Sequence, residues 1–164
     1  MSLRFEFGCD PKSEKFKEYW SRNGYEENID DVVDIIKDPA QLIIWIEDNK
    51  IVGHAVWHES SVEKHRKGGS FRDKDDKEAL KKLLGKKKDF VELHEWWLIE
   101  EYRGKGYGSE FFGFFESYMK SKGHVDIIYY ANDPSAIAVF RKHRCKEGGF
   151  VETAKEYIFY HLIE

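Results

Sequence analysis

The chain has 164 residues, of which 41% are hydrophobic and 35% are charged, and its net charge is −4. This length suits one domain over residues 1–164 with a sizeable core, while the mild negative charge disfavours nucleic acid as the main partner. With two cysteines, no apolar run near the ~20 residues of a membrane span and no signal-peptide pattern, the sequence predicts a soluble cytoplasmic protein without a disulfide framework or a membrane partner.

The first third of the sequence alternates between strand-like and helix-like segments. Ser13 is the predicted N-cap of the first helix, and Asp38-Pro39 ends the second helix, which begins near residue 28 or 30. The tetrapeptide Glu47-Asp48-Asn49-Lys50 predicts a hairpin turn between two strands. In order, the periodicity predicts a strand, two helices and two strands over residues 4–9, 13–24, 28–38, 41–46 and 51–57.

A charged insert rich in lysine and arginine follows over residues 63–89. Within it, residues 77–84 predict a short helix, and the rest predicts a mobile loop. A basic run could contact nucleic acid or a CoA phosphate. Four acidic residues interrupt the positive charge, however, which favours a solvated excursion from the fold.

A glycine-rich loop lies between a strand predicted over residues 90–99 and an aromatic-faced helix that ends near Gly123. Three glycines in five residues free this loop from Cβ sterics, so several backbone N–H groups at the helix N-terminus can point at one anion. Such a loop with two nearby cations predicts a phosphate cradle, although an ordinary strand-to-helix turn remains an alternative for so short a motif. Neither the P-loop triplet nor the dinucleotide-binding glycine spacing occurs here.

The loop spacing Arg103-x-x-Gly106-x-Gly108 resembles the pyrophosphate-binding signature of the GNAT N-acetyltransferase superfamily. The resemblance implies that the loop binds the diphosphate of acetyl-CoA. The residues implied in this contact are Arg103, Gly104, Lys105, Gly106, Tyr107, Gly108 and Ser109. It also implies a direct attack of a primary amine on the thioester in a ternary complex.

The C-terminal third also resembles this family. After a strand predicted over residues 125–131, Asn132, Ala136 and Phe140 resemble its Asn-x-x-x-Ala…Tyr segment, although Phe140 stands where many members have Tyr. The helix is predicted to end at Gly148-Gly149, and a tight strand pair to complete the chain over residues 150–164. The resemblance implies an α/β (α+β) fold with a mixed, mostly antiparallel sheet of about six to seven strands, about four flanking helices and splayed central strands.

Splayed strands leave backbone groups that the pantetheine arm can pair like an added strand. By resemblance, Trp96, Trp97 and Leu98 supply these groups, and an N–H near Leu98 polarises the thioester carbonyl. The alternative for the two tryptophans is sheet packing.

An amine substrate must lose a proton before it attacks, because it is mostly protonated at neutral pH. By resemblance, a carboxylate about three residues before Leu98 often acts as the base, so Glu95 is the first candidate, followed by Glu92 and His94. Residues two apart share a strand face, so Glu95 and Trp97 are expected on one face. A solvated or salt-bridged strand residue is the alternative for Glu95.

The leaving thiolate needs a proton or a stabilising dipole, and Phe140 has no proton to give. Tyr129 or Tyr130 is the candidate general acid. The reaction could also proceed without one, or the domain could bind acyl-CoA without catalysis. A nucleic-acid-binding protein and a protein-interaction domain are the remaining alternatives.

By resemblance, the segment over residues 13–38 walls the acceptor site. Because this segment combines carboxylates with aromatic rings, the acceptor is expected to be a cationic amine, either polyamine-like or a Lys or N-terminal amine of a peptide. Stabilising a helix N-terminus is the alternative role for Asp30 and Asp31. The residues expected to line the acceptor site are Tyr19, Trp20, Tyr25, Glu26, Glu27, Asp30, Asp31 and Asp34.

The sequence predicts no metal cofactor: His54 and His58 stand ~13 Å apart on a strand, too far for one ion. A homodimer is compatible with the sequence.

Overall fold

The computed structural model describes residues 3–22, 29–64, 73–152 and 154–164. Within these ranges the chain forms seven strands and five α-helices. In chain order they are β1 (Arg4–Phe7), α1 (Glu14–Arg22), α2 (Ile29–Ile35), β2 (Leu42–Glu47), β3 (Lys50–Ser61), α3 (Asp73–Leu84), β4 (Asp89–Leu98), α4 (Tyr107–Ser121), β5 (Asp126–Ala131), α5 (Pro134–Lys142), β6 (Lys146–Val151) and β7 (Glu156–Leu162).

The seven strands form one sheet in the order β1-β2-β3-β4-β5-β7-β6. Strands β4 and β5 pair in parallel, whereas β1–β2, β2–β3, β5–β7 and β6–β7 pair antiparallel. The predicted fold class, a mixed and mostly antiparallel sheet flanked by helices, is therefore confirmed. The splay of the central strands stays a prediction. None of the helices in the described ranges is long and apolar enough to span a bilayer.

The predicted hairpin joins β2 to β3. Its two central residues, Asp48 and Asn49, have φ of 51° and 63°, and Glu47 faces Lys50 across the turn. Two consecutive left-handed residues are typical of a two-residue turn whose twist matches the strands, and Asp and Asn tolerate this conformation better than most residues.

Contacts along the chain define two compact units, the first comprising residues 1–58 and 94–107. We call it unit 1. In α1, Phe16, Tyr19 and Trp20 form the buried face at helical spacing, and the Ser13 hydroxyl accepts from the Phe16 N–H at 3.3 Å, as the capping prediction requires. These rings pack on Ile44 and other apolar side chains of β2 and β3 to form the core of the unit.

The second unit, unit 2, comprises residues 59–93 and 108–164. Its α3 corrects the prediction of a solvated excursion over residues 63–89. Leu80, Leu83 and Leu84 are buried and pack with Phe90, Ile128 and Ile158, because these leucines lie at i, i+3 and i+4 on one face of the helix. The predicted loop segment 65–72, including Gly68-Gly69, lies outside the described residues.

The predicted end of the last helix at Gly148-Gly149 is wrong. Helix α5 ends at Lys142 and β6 includes both glycines. A Cβ built on Gly148 would lie 2.7 Å from side-chain atoms of both Leu83 and Ile158, and Gly149 has φ of +87° at a bulge in the β6–β7 pairing. These glycines serve close packing and a bulge in a strand, roles that Gly-Gly also performs besides ending helices.

Candidate active site

A tyrosine, a histidine and a glutamate lie in contact inside unit 1. The Tyr19 hydroxyl is 2.7 Å from Nδ1 of His54, and Nε2 of His54 is 3.5 Å from Oε2 of Glu95. Their exposed fractions are 2%, 0% and 7%. Glu95, the first candidate base, is therefore not a solvated strand residue: it ends a buried chain of three polar side chains from α1, β3 and β4.

The tyrosine in this chain holds its proton firmly. Burial raises the pKa of Tyr19 far above its usual value, and the negative charge of Glu95 raises that pKa further. The Tyr19 hydroxyl is therefore neutral at physiological pH and can donate to the ring nitrogen of His54.

Aromatic rings enclose the imidazole of His54. The ring centroids of Trp20 and Trp97 lie 5.0 Å and 6.2 Å from it, and that of Phe16 lies at 6.1 Å. Because the packing places both Glu95 and Trp97 beside His54, the predicted sharing of one strand face by Glu95 and Trp97 is confirmed. Such walls exclude water, so electrostatic contacts among the enclosed groups gain strength.

Arg103, the arginine of the predicted phosphate-binding loop, lies against the end of β4. The Arg103 guanidinium carbon is 5.5 Å from the ring centroid of Trp97, and Arg103 Nε donates to the Leu98 carbonyl at 2.7 Å. A cation–π contact and a charge-assisted hydrogen bond thus orient Arg103 on two residues expected to face the cosubstrate. These three predicted residues are brought together within unit 1.

The glycine loop has the backbone that its sequence predicts. Gly104 and Gly106 have φ of 75° and 87°, a region that L side chains rarely adopt. A Cβ built on either glycine meets no atom within 4 Å, so the surface of the loop is open there. Helix α4 begins at the next residue, Tyr107, so the N–H groups of its first turn follow directly on the loop.

A tyrosine anchors the turn before this loop. The Tyr102 hydroxyl donates to Glu47 Oε1 at 2.8 Å, and this hydrogen bond, aided by desolvation, raises the pKa of Tyr102 to about 12. The Lys105 ammonium lies 5.8 Å from the centroid of the Tyr102 ring, and the ring of Tyr107 lies 6.3 Å from it. Tyr102 therefore connects the loop to the β2–β3 hairpin.

Strand β3 approaches the end of β4 so closely that only glycine fits at residue 53. A Cβ built on Gly53 would lie 2.8 Å from the Trp97 carbonyl oxygen and 3.1 Å from Leu98 Cδ1. One residue earlier, the Val52 carbonyl accepts from the Ile99 N–H at 2.9 Å. Gly53 thereby sets the backbone position of Trp97 and Leu98.

We expect Gly53→Ala to lower the free energy of unfolding by about 1–3 kcal/mol, because backbone must move to admit the methyl group. Thermal and urea unfolding measure this loss. Gly113→Ala is the matched control: Gly113 lies inside α4 with nothing within 4 Å of an added Cβ, so alanine there should stabilise by roughly 0.5–1 kcal/mol. Equal stability of Gly53→Ala and the parent protein would contradict the tight approach.

The other predicted residues of β4 have different surroundings. Glu92 is 1% exposed and lies in unit 2, opposite Ile128 of β5. His94 is half-buried in unit 1, with its ring centroid 5.5 Å from that of His58. Trp96 is half-buried. Of the three candidate bases, Glu95 lies beside His54, with Oε2 3.5 Å from Nε2.

The two candidate general acids, Tyr129 and Tyr130, lie on opposite faces of β5 in unit 2. The Tyr129 hydroxyl donates to Glu116 Oε2 at 2.6 Å, and burial raises the pKa of Tyr129 well above its usual value. The ring of Phe140 stacks on Tyr129 at 4.6 Å and is 1% exposed. The Tyr130 hydroxyl instead donates to Asp76 of α3. Both tyrosines have a carboxylate as their hydrogen-bond partner.

The other residues of unit 2 that are predicted to bind acetyl-CoA lie near the ends of its helices. Ser109, in the first turn of α4, has its hydroxyl 3.4 Å from Nε2 of His143, and the His143 ring stacks on Phe112 at 4.2 Å. Burial lowers the pKa of His143. Asn132, just before α5, is exposed, and Ala136 is half-buried.

The structure describes only some of the residues that are predicted to line the acceptor site. Asp30 and Asp34 of α2 are exposed, and Tyr19 and Trp20 belong to the core of unit 1. The side chain of Asp31 and the segment that contains Tyr25, Glu26 and Glu27 lie outside the described residues.

The sequence does not predict the contact between Tyr19 and His54. It offers His54 only as a metal ligand and Tyr19 only as a wall of the acceptor site. The histidine inside an otherwise apolar strand over residues 51–57 is the one sequence signal that could have identified this chain, since a buried imidazole requires polar partners.

The chain is similar to known acetyltransferases. A family model for the acetyltransferase (GNAT) family matches residues 6–144. A mosquito arylalkylamine N-acetyltransferase-like protein, 13% identical, has a TM-score of 0.69 with 99% of this chain and 100% of that chain covered. The Drosophila melanogaster polyamine N-acetyltransferase, 9% identical, has a TM-score of 0.64 with 99% and 100% covered.

A third similar solved structure contains bound coenzyme A. The Bacillus subtilis N-acetyltransferase YlbP in complex with coenzyme A is 14% identical and has a TM-score of 0.60, with 98% of this chain and 97% of that chain covered. A comparison with curated protein sequences gives no match. Because the family model spans most of its length, the chain belongs to the GNAT acetyltransferase family and is an N-acetyltransferase of that type.

Proposed function

We propose that this protein transfers the acetyl group of acetyl-CoA to a primary amine by direct attack. The glycine loop carries the proposal: Gly104 and Gly106 adopt a left-handed backbone with open Cβ positions just before α4 begins. That geometry suits a diphosphate held by helix N–H groups, with Arg103 and Lys105 adding positive charge. The B. subtilis neighbour in complex with coenzyme A supports the same cosubstrate.

In the proposed reaction, the neutral amine nitrogen attacks the thioester carbonyl carbon. A C–N bond forms, the C–S bond breaks, and CoA leaves as a thiolate. The nitrogen then loses its second proton to solvent, which leaves the neutral amide. Glu95 takes the proton that the ammonium form of the amine must lose. Positioning of the amine and thioester converts a two-body reaction into a local one, which can be worth several orders of magnitude in rate.

We propose that no tyrosine protonates the leaving thiolate. Phe140 has no proton to give, and the hydroxyls of Tyr129 and Tyr130 already donate to Glu116 and Asp76. A thiol pKa of ~8.5 makes the thiolate a fair leaving group without an acid. Solvent then supplies its proton after release.

We propose a cationic amine as the acceptor. Exposed carboxylates on α2, among them Asp34, supply negative charge, whereas the rings of Tyr19 and Trp20 are buried in the core of unit 1 and take no part. Two structural neighbours are a polyamine N-acetyltransferase and an arylalkylamine N-acetyltransferase-like protein. A cytoplasmic location stays a prediction from the sequence.

The deciding experiment compares 1,4-diaminobutane with 1-aminopentane, which have the same length but differ in the charge at the far end. We expect the diamine to be acetylated about 2- to 5-fold faster per amino group, from surface ion-pair energies of about 0.5–1 kcal/mol, and the preference to fade at high salt. Release of free CoA measures the rate.

Asp34→Asn should weaken the preference for the diamine. The control is Glu78→Gln, an exposed charge in unit 2, which should leave the preference intact. Equal rates for both amines at all salt concentrations would rule out the cationic acceptor. Acetyl-CoA binding without turnover of any amine would instead identify a non-catalytic acyl-CoA-binding module.

A further inference from the structure

The contacts of Tyr19, His54 and Glu95 in unit 1 bear on which ring nitrogen of His54 carries the proton. The Tyr19 hydroxyl keeps its proton and lies 2.7 Å from Nδ1 of His54, so it can donate to that nitrogen. A neutral imidazole that accepts at Nδ1 carries its own proton on Nε2. This N–H lies on the side of Glu95, whose Oε2 is 3.5 Å away.

The opposite tautomer is disfavoured by the same contacts. A proton on Nδ1 would leave the Nε2 lone pair facing an ionised carboxylate in a site where His54 is 0% exposed, and two electron-rich atoms repel strongly without water between them. The tyrosine hydroxyl therefore selects the imidazole form that can hold the carboxylate, as the partner of one ring nitrogen generally sets the role of the other.

We propose that Tyr19 and His54 are positioning residues for acetyl transfer: Tyr19 fixes the Nε2–H tautomer of His54, and His54 orients the carboxylate of Glu95 towards the amine. This inference rests on the proposed function, because it assigns the support for the proposed base. It adds two residues that no acetyl-CoA motif contains. Neither residue is expected to touch the substrate or exchange a proton with it.

Groups from several elements pack around His54. Glu95 faces it from β4 and Tyr19 faces it from α1, and the rings of Phe16, Trp20 and Trp97 lie beside it. The charge of Arg22, one turn after Tyr19 in α1, lowers the pKa of Tyr19, whereas the charge of Glu95 raises it.

The tautomer is tested by NMR of the imidazole nitrogens, without any turnover. In the parent protein we expect Nε2 of His54 to carry the proton and Nδ1 to report an accepted hydrogen bond. The imidazole signals that are absent from the spectrum of His54→Gln are those of His54. In Tyr19→Phe, Nδ1 should no longer report an accepted hydrogen bond, and the Nε2–H form, now favoured by the Glu95 contact alone, should be less populated than in the parent protein. A parent protein with the proton on Nδ1 would overturn the inference.

Kinetics test whether this support matters to the reaction. Tyr19→Phe should lower kcat about 10- to 100-fold with the KM for acetyl-CoA unchanged, since a misplacement of ~1 Å can cost ~10²-fold. The acid limb of the pH profile of kcat/KM should move to higher pH, because a carboxylate that no longer faces the positive end of an N–H dipole is protonated more readily. A merely structural role would lower kcat without moving this limb.

Matched variants separate positioning from stability. Tyr160→Phe in unit 2 removes another hydroxyl that donates to a carboxylate, that of Asp126, and should change neither kcat nor the acid limb. His54→Gln keeps an N–H donor near Nε2 and should retain more activity than His54→Leu. A Tyr19→Phe enzyme with parental kcat and acid limb would overturn the inference while leaving the proposed function intact. Absence of turnover in the parent protein would overturn the proposed function, and the NMR result would then decide the tautomer alone.

Discussion

Glu95→Gln should lower kcat/KM for amine acetylation by about 10²- to 10⁴-fold while the Kd for acetyl-CoA stays unchanged. The amide has nearly the volume of the carboxylate but cannot accept the proton of the ammonium group, and general-base assistance contributes a factor of this size. The loss should be largest at low pH, where more of the amine is protonated. Steady-state rates over a pH series and calorimetry with acetyl-CoA measure both quantities.

Glu116→Gln is the matched control for this change. Glu116 and Glu95 are both 7% exposed, and Glu116 also lies beside a tyrosine and a histidine, since it accepts from Tyr129 and is 2.7 Å from His161 Nδ1. Both substitutions disturb a buried carboxylate, so both should lower stability, but only Glu95→Gln should remove turnover. A larger loss in Glu92→Gln or His94→Ala would show that the base lies elsewhere on β4.

The fold could be predicted because its signals are local. Apolar spacing in α1, the turn residues Asp48 and Asn49, and the glycine loop before α4 each determine backbone geometry within a few residues. The structure confirms all three. The family signature uses the same kind of information, since a loop at a helix N-terminus binds an anion through neighbouring residues.

The features that the sequence did not predict depend on contacts between distant residues. Tyr19 and His54 are 35 positions apart, and no local pattern indicates that a helix will place this hydroxyl on that ring. The reason for Gly53 is likewise a carbonyl of β4, far along the chain. The leucines of the helix predicted over residues 77–84 become buried because unit 2 offers an apolar sheet surface, which the charge of the 63–89 insert did not indicate.

Gly106→Val should weaken acetyl-CoA binding by about 10- to 100-fold, which corresponds to the loss of a single charge-assisted hydrogen bond of about 1.5–3 kcal/mol. At φ of +87°, a β-branched residue either strains the backbone or turns the peptide away from the left-handed region. Either response displaces the N–H groups next to Gly106, and the branch itself occupies the open side of the loop. Calorimetric titration with CoA measures the affinity.

Gly149→Val provides a control with the same backbone geometry. Gly149 also has φ of +87°, is exposed and has nothing within 4 Å of an added Cβ, but it lies in the bulge of β6. Both valine variants should lose a similar amount of stability, about 1–2 kcal/mol, because they share the cost of the left-handed conformation. Only Gly106→Val should lose CoA affinity. If the two variants bind CoA equally well, the diphosphate does not contact this loop, and the cosubstrate site must be sought elsewhere in the fold.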